Sequence, residues 1–475
     1  MSPAEFSALM PVLILAAAAS LLTVAAGFYR NHGFVAGFTM AAFLLSFASL
    51  FIASDSAPVA ITPLLVVDGF AIFFMGLIFA ASFTVTLLSY GYNGGSEGRH
   101  TEYYILLMLS ALGAAVLAGS RHFASFFLGL ETLSVSLFGL IAYMRNKRGN
   151  EAGLKYLVLG GASSAFLVFG MALVYAAAGS MEFSSVGAFA ATGGGSALAP
   201  GMAMIIAGAG FKLAVVPFHG WTPDVYEGAP APVGALIASV SKGAVIVVLM
   251  RLFNGALLPG GGALFVFLTA VAVASMFAGN LLALFQENVK RVLAYSSIAH
   301  LGYLLVAFLS SGTFGAGAVA FYLAAYFVSI IGAFGVVTVL SVNGHDMESL
   351  ESYRGLAWRR PLVAAVFTAM LLSLAGIPLT AGFVGKFYLV AAGAAASMWL
   401  LVLSLALSSV IGFYYYLRII LVLFSPSPEP QAAPAGIHPA ASAALIALFV
   451  ALIFLGVYPG PFLTLVGAAA AGFGQ

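Results

Sequence analysis

Most of this chain consists of apolar stretches about 20 residues long, separated by short polar segments. An α-helix needs about 20 apolar residues to cross a bilayer, and only helices and closed barrels satisfy every backbone hydrogen bond inside it. Of the 475 residues, 63% are hydrophobic and 7% are charged, whereas a soluble domain carries about 25% charged residues. This composition excludes a soluble globular enzyme, a disordered chain and a nucleic-acid-binding protein, which needs a basic face. It predicts an all-α polytopic membrane protein with no domain outside the lipid bilayer.

We count about 14 transmembrane helices, of which the seventh (residues 201–219) and the twelfth (residues 361–390) are interrupted. Pro217 interrupts the seventh, and Gly376 and Pro378 interrupt the twelfth. Proline removes a backbone donor and clashes with the preceding turn, so both helices are expected to break. No Lys or Arg precedes the first apolar run, so it lacks the basic segment of a signal peptide and is expected to remain as a span. The glycine-rich segment 179–200 is expected to be a loop.

Basic residues are distributed unevenly between the loops, numbered in chain order. Even-numbered loops contain only Arg121 and Arg251. Odd-numbered loops contain twelve of the 17 Lys and Arg residues, namely Arg30, Arg99, Arg145, Lys147, Arg148, Lys155, Lys290, Arg291, Arg354, Arg359, Arg360 and Arg418. Loops rich in Lys and Arg stay in the cytoplasm. The odd loops are therefore predicted to be cytoplasmic and both termini periplasmic.

Residues of an electron-transfer site are missing from the sequence. It contains no cysteine, which excludes disulfides, cysteine-ligated iron–sulfur clusters and thiolate metal sites. The seven histidines are scattered, so we expect no close pair of the kind found in haem or metal sites. No glycine fingerprint of a nucleotide site follows a strand. The chain is therefore expected to move ions and not to carry electrons.

Four charged residues remain inside the predicted spans, namely Glu131, Lys212, Lys242 and Lys386. Asp68 lies at the edge of its span and is interpreted as interfacial. A charge at the bilayer centre costs about 3 kcal/mol on insertion scales, so such residues usually have a partner or face water. One carboxylate cannot neutralise three lysines, and desolvation favours the neutral form of a lysine. These residues are therefore candidate proton carriers, the alternative being fixed ion pairs that hold helices together.

Two histidines lie close to this set in the sequence. His219 follows Lys212 by two turns, about 10.5 Å along the axis and on the same face if the helix continues in phase. A histidine can pass protons near neutral pH, so we interpret His219 as a relay, the alternative being a residue that caps the helix end. His300 lies in an apolar run of the tenth span and is interpreted in the same way. Ser296 and Tyr303 lie on the same helix face as His300, and we expect them only to form hydrogen bonds between helices.

The two interrupted spans lie five spans apart, so they cross the membrane in opposite directions. Paired interrupted segments in corresponding halves indicate an inverted-repeat transporter. We therefore predict a single integral membrane domain, residues 1–475. It would contain a three-helix segment (1–100), a first five-helix repeat (101–254), a second, inverted five-helix repeat (260–424) and a C-terminal helix (425–475). Each repeat would form a half-channel around its broken helix.

Four motifs resemble those of the antiporter-like subunits of respiratory complex I. They are Phe-Lys through Pro-Phe-His at 211–219, Trp-Thr-Pro-Asp-Val-Tyr-Glu-Gly-Ala-Pro at 221–230, Asn-Val-Lys-Arg through His at 288–300, and Gly-Ile-Pro-Leu-Thr-Ala-Gly-Phe-Val-Gly-Lys-Phe-Tyr at 376–388. The resemblance covers essentially the whole chain. The last motif is similar to the subunit N family, because the related subunit M carries a glutamate where this chain has Lys386.

The resemblance implies a role for each intramembrane charge. A glutamate of the fifth span and a lysine of the seventh pair in that family, and they correspond to Glu131 and Lys212. The eighth-span and twelfth-span lysines correspond to Lys242 and Lys386. Further positions of the family's polar axis or its inlets are matched by Lys155, His219, Lys290 and His300.

The same resemblance implies a proton-pumping subunit of a membrane arm, next to other antiporter-like and small helical subunits. NADH, FMN, iron–sulfur clusters and quinone would be bound by partner subunits, with no cofactor or metal in this chain. The chain length favours a bacterial inner membrane, and the plastid relative with its different electron donor stays open.

The mechanism expected from these residues is a proton relay with an electrostatic switch. Protons would enter from the cytoplasm past Lys155 or Lys290, pass Lys212 and Lys242, and leave by way of Lys386. Glu131 would favour the protonated form of Lys212 when the two pair, since a charge 4 Å away is worth about 4 kcal/mol at an effective dielectric of 20. Which half-channel is the inlet stays open.

Two other functions remain possible from the sequence. The chain could be a subunit of a multisubunit Na⁺/H⁺ antiporter, which shares the fold and most motifs. It could also be a scaffold subunit that carries no protons. An unrelated solute carrier is disfavoured because the motif match is long and spans both predicted repeats.

Overall fold

The computed structural model describes residues 2–94, 100–253, 262–310, 312–341, 345–426 and 436–473. The predicted loop cation Arg99 and the predicted repeat boundaries at 254 and 260 lie outside these residues. Within them the chain is almost entirely helical, with one two-stranded sheet.

Helices that could cross a membrane by length and composition number twelve among the described residues. Eleven of them are single helices: α1 (Pro3–Ala25), α2 (His32–Ser56), α3 (Gly69–Gly94), α4 (Thr101–Gly119), α5 (Phe123–Ile141), α6 (Lys147–Ala178), α12 (Ala263–Leu284), α13 (Val289–Ser310), α14 (Gly312–Leu340), α18 (Trp399–Phe424) and α19 (Pro439–Val457). The twelfth combines α10 (Ala231–Leu236), a π-helical turn (Ile237–Ser241) and α11 (Lys242–Leu252).

The two predicted breaks are present in the structure. The seventh span is α8 (Leu198–Leu213), followed after a turn by the short helix α9 (Thr222–Gly228). The twelfth span is divided into α16 (Pro361–Ala375) and α17 (Ala381–Ala395). These two interrupted spans and the twelve continuous ones correspond in position to the 14 spans expected from the sequence.

Several short elements were not predicted. A hairpin of β1 (Val59–Ile61) and β2 (Leu65–Val67) connects α2 to α3. The segment expected to be only a loop contains α7 (Phe183–Ala191), because Phe183 and Val186 are apolar and buried. Helix α15 (Leu356–Arg359) precedes α16, and α20 (Gly460–Ala471) follows α19.

Helix α6 begins at Lys147 and therefore includes Lys155, which was assigned to the adjoining loop from the sequence. The side chain of Asn146 caps it by accepting a hydrogen bond from the backbone nitrogen of Gly149, and such a cap satisfies one of the free donors of the first turn. Lys155 therefore lies two turns inside a helix and not at its start.

The most buried helices form the centre of the molecule. In the most apolar 18-residue stretch of each helix, 100% of the residues are buried in α10–α11 and 94% in α13. The corresponding share is 33% in α1, α6 and α19. The candidate residues Lys242 and His300 lie on these central helices, whereas α1, α6 and α19 are more exposed at the surface of the molecule. The fold thus places Lys242 and His300 in the interior of the molecule.

Candidate proton pathway

The first break leaves Lys212 in the last turn of α8. Ala214 adopts a left-handed conformation with φ of 60°, and the Val215 nitrogen donates a 3.1 Å hydrogen bond to the carbonyl of Gly210. Trp221 Nε1 donates to the carbonyl of Phe211 at 2.9 Å. Because unpaired carbonyls give a helix end a partial negative charge, this position stabilises an ammonium group.

Lys212 and Glu131 do not pair with each other in the structure. The ammonium of Lys212 donates to Ser134 Oγ at 2.8 Å. Glu131 Oε1 accepts a 2.6 Å hydrogen bond from Ser164 Oγ. The ion pair implied by the resemblance is therefore open, and each member has a serine as its partner.

Aromatic rings surround the ammonium of Lys212. Its Nζ lies 5.9 Å from the ring centroid of Phe138, 5.5 Å from that of Tyr156 and 5.8 Å from that of Phe211. Ring faces attract a cation that has lost its hydration. These contacts help a buried, unpaired lysine to remain at this place.

The second break repeats the local structure of the first. Gly376 is left-handed with φ of 85°, and the Ile377 nitrogen donates to the Leu372 carbonyl at 3.0 Å. Lys386, on α17, reaches back to the end of α16 and donates to the Ala375 carbonyl at 2.8 Å and to Ser409 Oγ at 2.7 Å. The ammonium groups of Lys212 and Lys386 therefore both lie at the carboxyl end of a half-helix.

Lys242 directly follows the π-helical turn of the eighth span. Its side chain is 1% exposed and donates to Ser297 Oγ at 2.6 Å. The same oxygen accepts a 2.8 Å hydrogen bond from the hydroxyl of Tyr326. Single π-helical turns within α-helices are frequent at functional sites. This turn precedes Lys242, which is less exposed than Lys212 or Lys386.

His300 lies between Lys242 and Lys386. Its ring centroid is 5.2 Å from that of Tyr326 on the Lys242 side and 5.4 Å from that of Tyr303 on the other. Lys386 Nζ lies 5.1 Å from the Tyr303 ring centroid. A continuous series of side-chain contacts thus joins the two lysines.

Hydroxyl groups complete the surroundings of His300. Its Nδ1 and Nε2 are 2.7 Å and 3.1 Å from the hydroxyls of Tyr322 and Tyr416, and Tyr416 also hydrogen-bonds Ser296. Tyr416 was missed because it lies 116 residues away in sequence on α18.

His219 does not lie where an uninterrupted helix would place it. Helix α8 ends at Leu213, so His219 falls in the turn before α9 and is not in phase with Lys212. Among the described contacts, none joins its ring to Lys212. The condition for a shared helix face, a helix that continues in phase, is not met because α8 ends before Pro217.

Lys155 and Lys290 lie in a cluster of charged residues near the odd-numbered loops. Lys155 bonds Asp224 at 2.9 Å, and the buried Lys290 bonds Asp346 at 2.6 Å and Glu348 at 3.4 Å. A cavity of about 160 Å³ is lined by Lys155 and Asp224, and another of about 170 Å³ by Lys290, Asp346 and Glu348.

Asp224 connects the two predicted repeats. Burial raises its pKa, but hydrogen bonds from Lys155 and Arg291 outweigh burial and lower the pKa below its usual value. Arg291, at the start of α13, donates to Asp224 and to Glu227, each at 2.8 Å. Asp224 therefore remains a fixed anion at neutral pH.

Asp68 and Arg251 are paired. Asp68, which we expected at the edge of the membrane, is buried within the protein, and Arg251 donates to its two carboxylate oxygens at 3.0 Å and 2.7 Å. Arg251 also donates to the Ala118 carbonyl at 2.7 Å, and Asp68 accepts from the Ala71 nitrogen. The pair connects α3, α4 and α11 at their ends.

Two of the histidines are close, contrary to expectation. The rings of His32 and His100 are 5.7 Å apart, and His32 stacks on Tyr90. Within the described part of the chain, no group of three or more histidine, aspartate or glutamate side chains could hold a metal ion.

Comparison with known proteins places the whole chain in one family. The family described as NADH:quinone oxidoreductase/Mrp antiporter, TM, matches residues 120–412. NADH-quinone oxidoreductase subunit N of Ectopseudomonas mendocina is 48% identical over 98% of this chain and 96% of its own length. Subunit N of Chromohalobacter salexigens is 46% identical over 98% of this chain and 99% of its own length.

A solved structure agrees with these sequence relatives. A chain of respiratory complex I from Thermus thermophilus with bound aureothin superposes with a TM-score of 0.84 and 34% identity, covering 96% of this chain and 99% of that one. The chain belongs to the subunit N family of NADH-quinone oxidoreductase, the antiporter-like membrane subunits of that enzyme.

Proposed function

We propose that this chain translocates protons as a membrane-arm subunit of NADH-quinone oxidoreductase, along an axis of Glu131, Lys212, Lys242, His300 and Lys386. The observation that supports this most directly is the series of buried side-chain contacts from Lys242 to Lys386. Each lysine of the axis also bonds a hydroxyl group, so each has a partner that can exchange a proton or orient water.

Glu131 acts as the switch of this axis. When it pairs with Lys212, the lysine holds its proton, and when the pair opens, desolvation favours release. The open arrangement, with both groups bonded to serines, is one of the two states that such a switch requires. The family resemblance supports the paired state.

Protons reach the axis from the cytoplasmic side past Lys155 or Lys290. The two polar cavities beside these lysines support both routes. Asp224 stays charged and positions Lys155 and Arg291, whereas Lys290 has two acidic neighbours. His219 is a secondary candidate near the first break.

The redox reaction takes place on other subunits. NADH, FMN, iron–sulfur clusters and quinone are bound there, which agrees with the absence of cysteine from this sequence. Adjacent antiporter-like and small helical subunits cover the outer helices of this chain in the membrane arm. The chain itself holds no cofactor in this proposal.

The protein lies in a bacterial inner membrane, with odd loops in the cytoplasm and both termini in the periplasm. Two contacts support this arrangement, because each joins loops that are predicted to lie on the same side of the membrane. Asn288 of the ninth loop forms an isolated antiparallel β-bridge with Ser349 of the eleventh loop. His122 of the fourth loop forms one with Glu182 of the sixth loop. We retain the division into segments 1–100, 101–254, 260–424 and 425–475, supported by the equivalent local structure of the two breaks.

Three variants test the relay in the assembled complex. Glu131→Gln, Lys212→Ala and Lys386→Ala should each lower NADH-driven proton pumping, while Lys147→Ala, at an exposed lysine, should leave it unchanged. The readout is the number of protons pumped per electron, with assembly checked by native electrophoresis. Unchanged stoichiometry in all three variants would refute the relay, and dependence of pumping on Na⁺ would favour an antiporter instead.

A further inference from the structure

We propose that Ser164 and Ser134 are positioning residues that hold the Glu131–Lys212 switch open by bonding each partner separately. This inference rests on the proposed proton relay and adds the groups that oppose closure. Neither serine lies beside a break, and neither is one of the charged residues of the axis.

Ser164 has a single described partner for its hydroxyl group. Its Oγ donates to Glu131 Oε1 at 2.6 Å, across the contact between α6 and α5. Donation to a charged acceptor makes this a strong type of hydrogen bond. This bond holds the carboxylate toward α6, and in our proposal closing on Lys212 draws Glu131 away from it.

Ser134 is oriented to accept from Lys212. Its hydroxyl hydrogen is directed to the Leu130 carbonyl at 2.7 Å, one turn earlier on α5. The lone pairs of Ser134 Oγ are then free to accept from the Lys212 ammonium at 2.8 Å. Because Ser134 lies one turn after Glu131, the serine and the glutamate offer Lys212 alternative acceptors on the same face of α5.

Helix α6 provides space for this exchange. Gly160 lies one turn before Ser164, and a β-carbon added there would be 3.6 Å from Lys212 Nζ. One face of α6 therefore passes both Lys212 and Glu131. The neighbouring Ser163 has a different partner, the carbonyl of Gly160 at 2.8 Å, so it provides a matched control.

The consequence is a switch with two states of similar free energy. The open state has two hydrogen bonds to charged groups, and the closed state has one ion pair. Removing the hydroxyl of Ser164 should shift the ratio of closed to open forms by roughly 10- to 100-fold. Starting from about equal populations, the open fraction falls from about a half to roughly 1–9%, and pumping falls about 5- to 50-fold.

The test uses the complete complex in membrane vesicles, with NADH-driven proton pumping and NADH oxidation measured together. Ser164→Ala should lower pumping about 5- to 50-fold. Ser164→Thr should restore it, and Ser163→Ala should match the wild type. Combining Ser164→Ala with Glu131→Gln should give the same pumping as Glu131→Gln alone, because the serine acts only through the carboxylate. A purely structural role would instead make the two effects add.

The outcomes separate this inference from the proposed function. Normal pumping in Ser164→Ala, or additive effects in the double variant, would overturn the positioning role while Glu131→Gln still impairs pumping. Normal pumping in Glu131→Gln, Lys212→Ala and Lys386→Ala would overturn the relay itself. If Ser164→Ala assembles poorly, the test uses Ser164→Thr, which keeps the hydroxyl donor. Loss of pumping in assembled Ser164→Thr would also contradict the proposal.

Discussion

Asp68 and Arg251 form a bidentate ion pair, although 183 residues separate them in the sequence. Their side chains are only 5% and 8% exposed. Arg251 also lies over the ring of Phe70, with 5.6 Å between the guanidinium carbon and the ring centroid. The pair joins the N-terminal three-helix segment to the end of the eighth span, so it stabilises the packing of these two parts of the chain against each other.

Breaking this pair should destabilise the protein. Arg251→Gln leaves a buried, uncompensated carboxylate and should cost about 3–5 kcal/mol. The measurement is thermal unfolding of the purified complex together with its yield. Arg121→Gln is the control, because the described contacts of Arg121 involve its backbone. Equal stability of the two variants would contradict a structural role for the pair.

Gly376 should control the position of Lys386. A β-carbon there would lie 2.8 Å from Lys386 Cδ, and the φ of +85° is unfavourable for other residues. Gly376→Ala should therefore displace the ammonium from the Ala375 carbonyl and lower proton pumping in assembled complex.

Gly179→Ala separates displacement of Lys386 from backbone strain. Gly179 ends α6 with φ of +69° and has no atom within 4 Å of an added β-carbon. Each substitution costs about 1–2 kcal/mol in backbone strain, but only Gly376→Ala should impair pumping. Equal pumping in the two variants would show that Gly376 does not position Lys386.

Features with a local cause could be predicted from the sequence. The spans follow from the length of apolar runs, and the breaks follow from Pro217 and Gly376. The burial of Lys212, Lys242 and Lys386 follows from their place inside apolar runs. In each case the neighbouring residues contain the physical reason.

Features that depend on contacts between distant segments could not be predicted. Ser164 lies 33 residues from Glu131, and nothing in its own sequence surroundings distinguishes it from Ser163. His32 and His100 meet only because two helix ends pack together. A shared helix face for Lys212 and His219 required an uninterrupted helix, and α8 ends at Leu213, before Pro217.

The orientation of the chain can be tested with alkaline phosphatase fusions. Alkaline phosphatase is active only when it is exported from the cytoplasm. A fusion after α20 should therefore be active, because cytoplasmic odd loops place this end of the chain in the periplasm. A fusion after Ser425, in the thirteenth loop, should be inactive and serves as the matched control. The reverse pattern would require the whole assignment of loops to be inverted.

Asp346 should matter more than Asp224, although each bonds a lysine of a proposed inlet. Lys290 is 1% exposed, so Asp346→Asn leaves a buried ammonium with Glu348, at 3.4 Å, as its one described carboxylate, beside the Ala229 carbonyl at 2.8 Å. The expected cost is about 3 kcal/mol, with slower proton uptake through this route. Asp224→Asn should cost roughly 0–1 kcal/mol, because Lys155 is 41% exposed and keeps Glu151 at 2.8 Å.

The pH dependence of stability tests whether Asp224 is a fixed anion. The pKa of Asp224 is lower in the folded protein than in the unfolded chain, so its stabilising effect is complete above about pH 4 and is lost only as the pH falls further. Between pH 6 and 8, the stability difference between Asp224→Asn and the wild type should therefore be constant. Thermal unfolding at several pH values measures it, and a difference that grows within this range would show that Asp224 takes up a proton and is not a fixed anion.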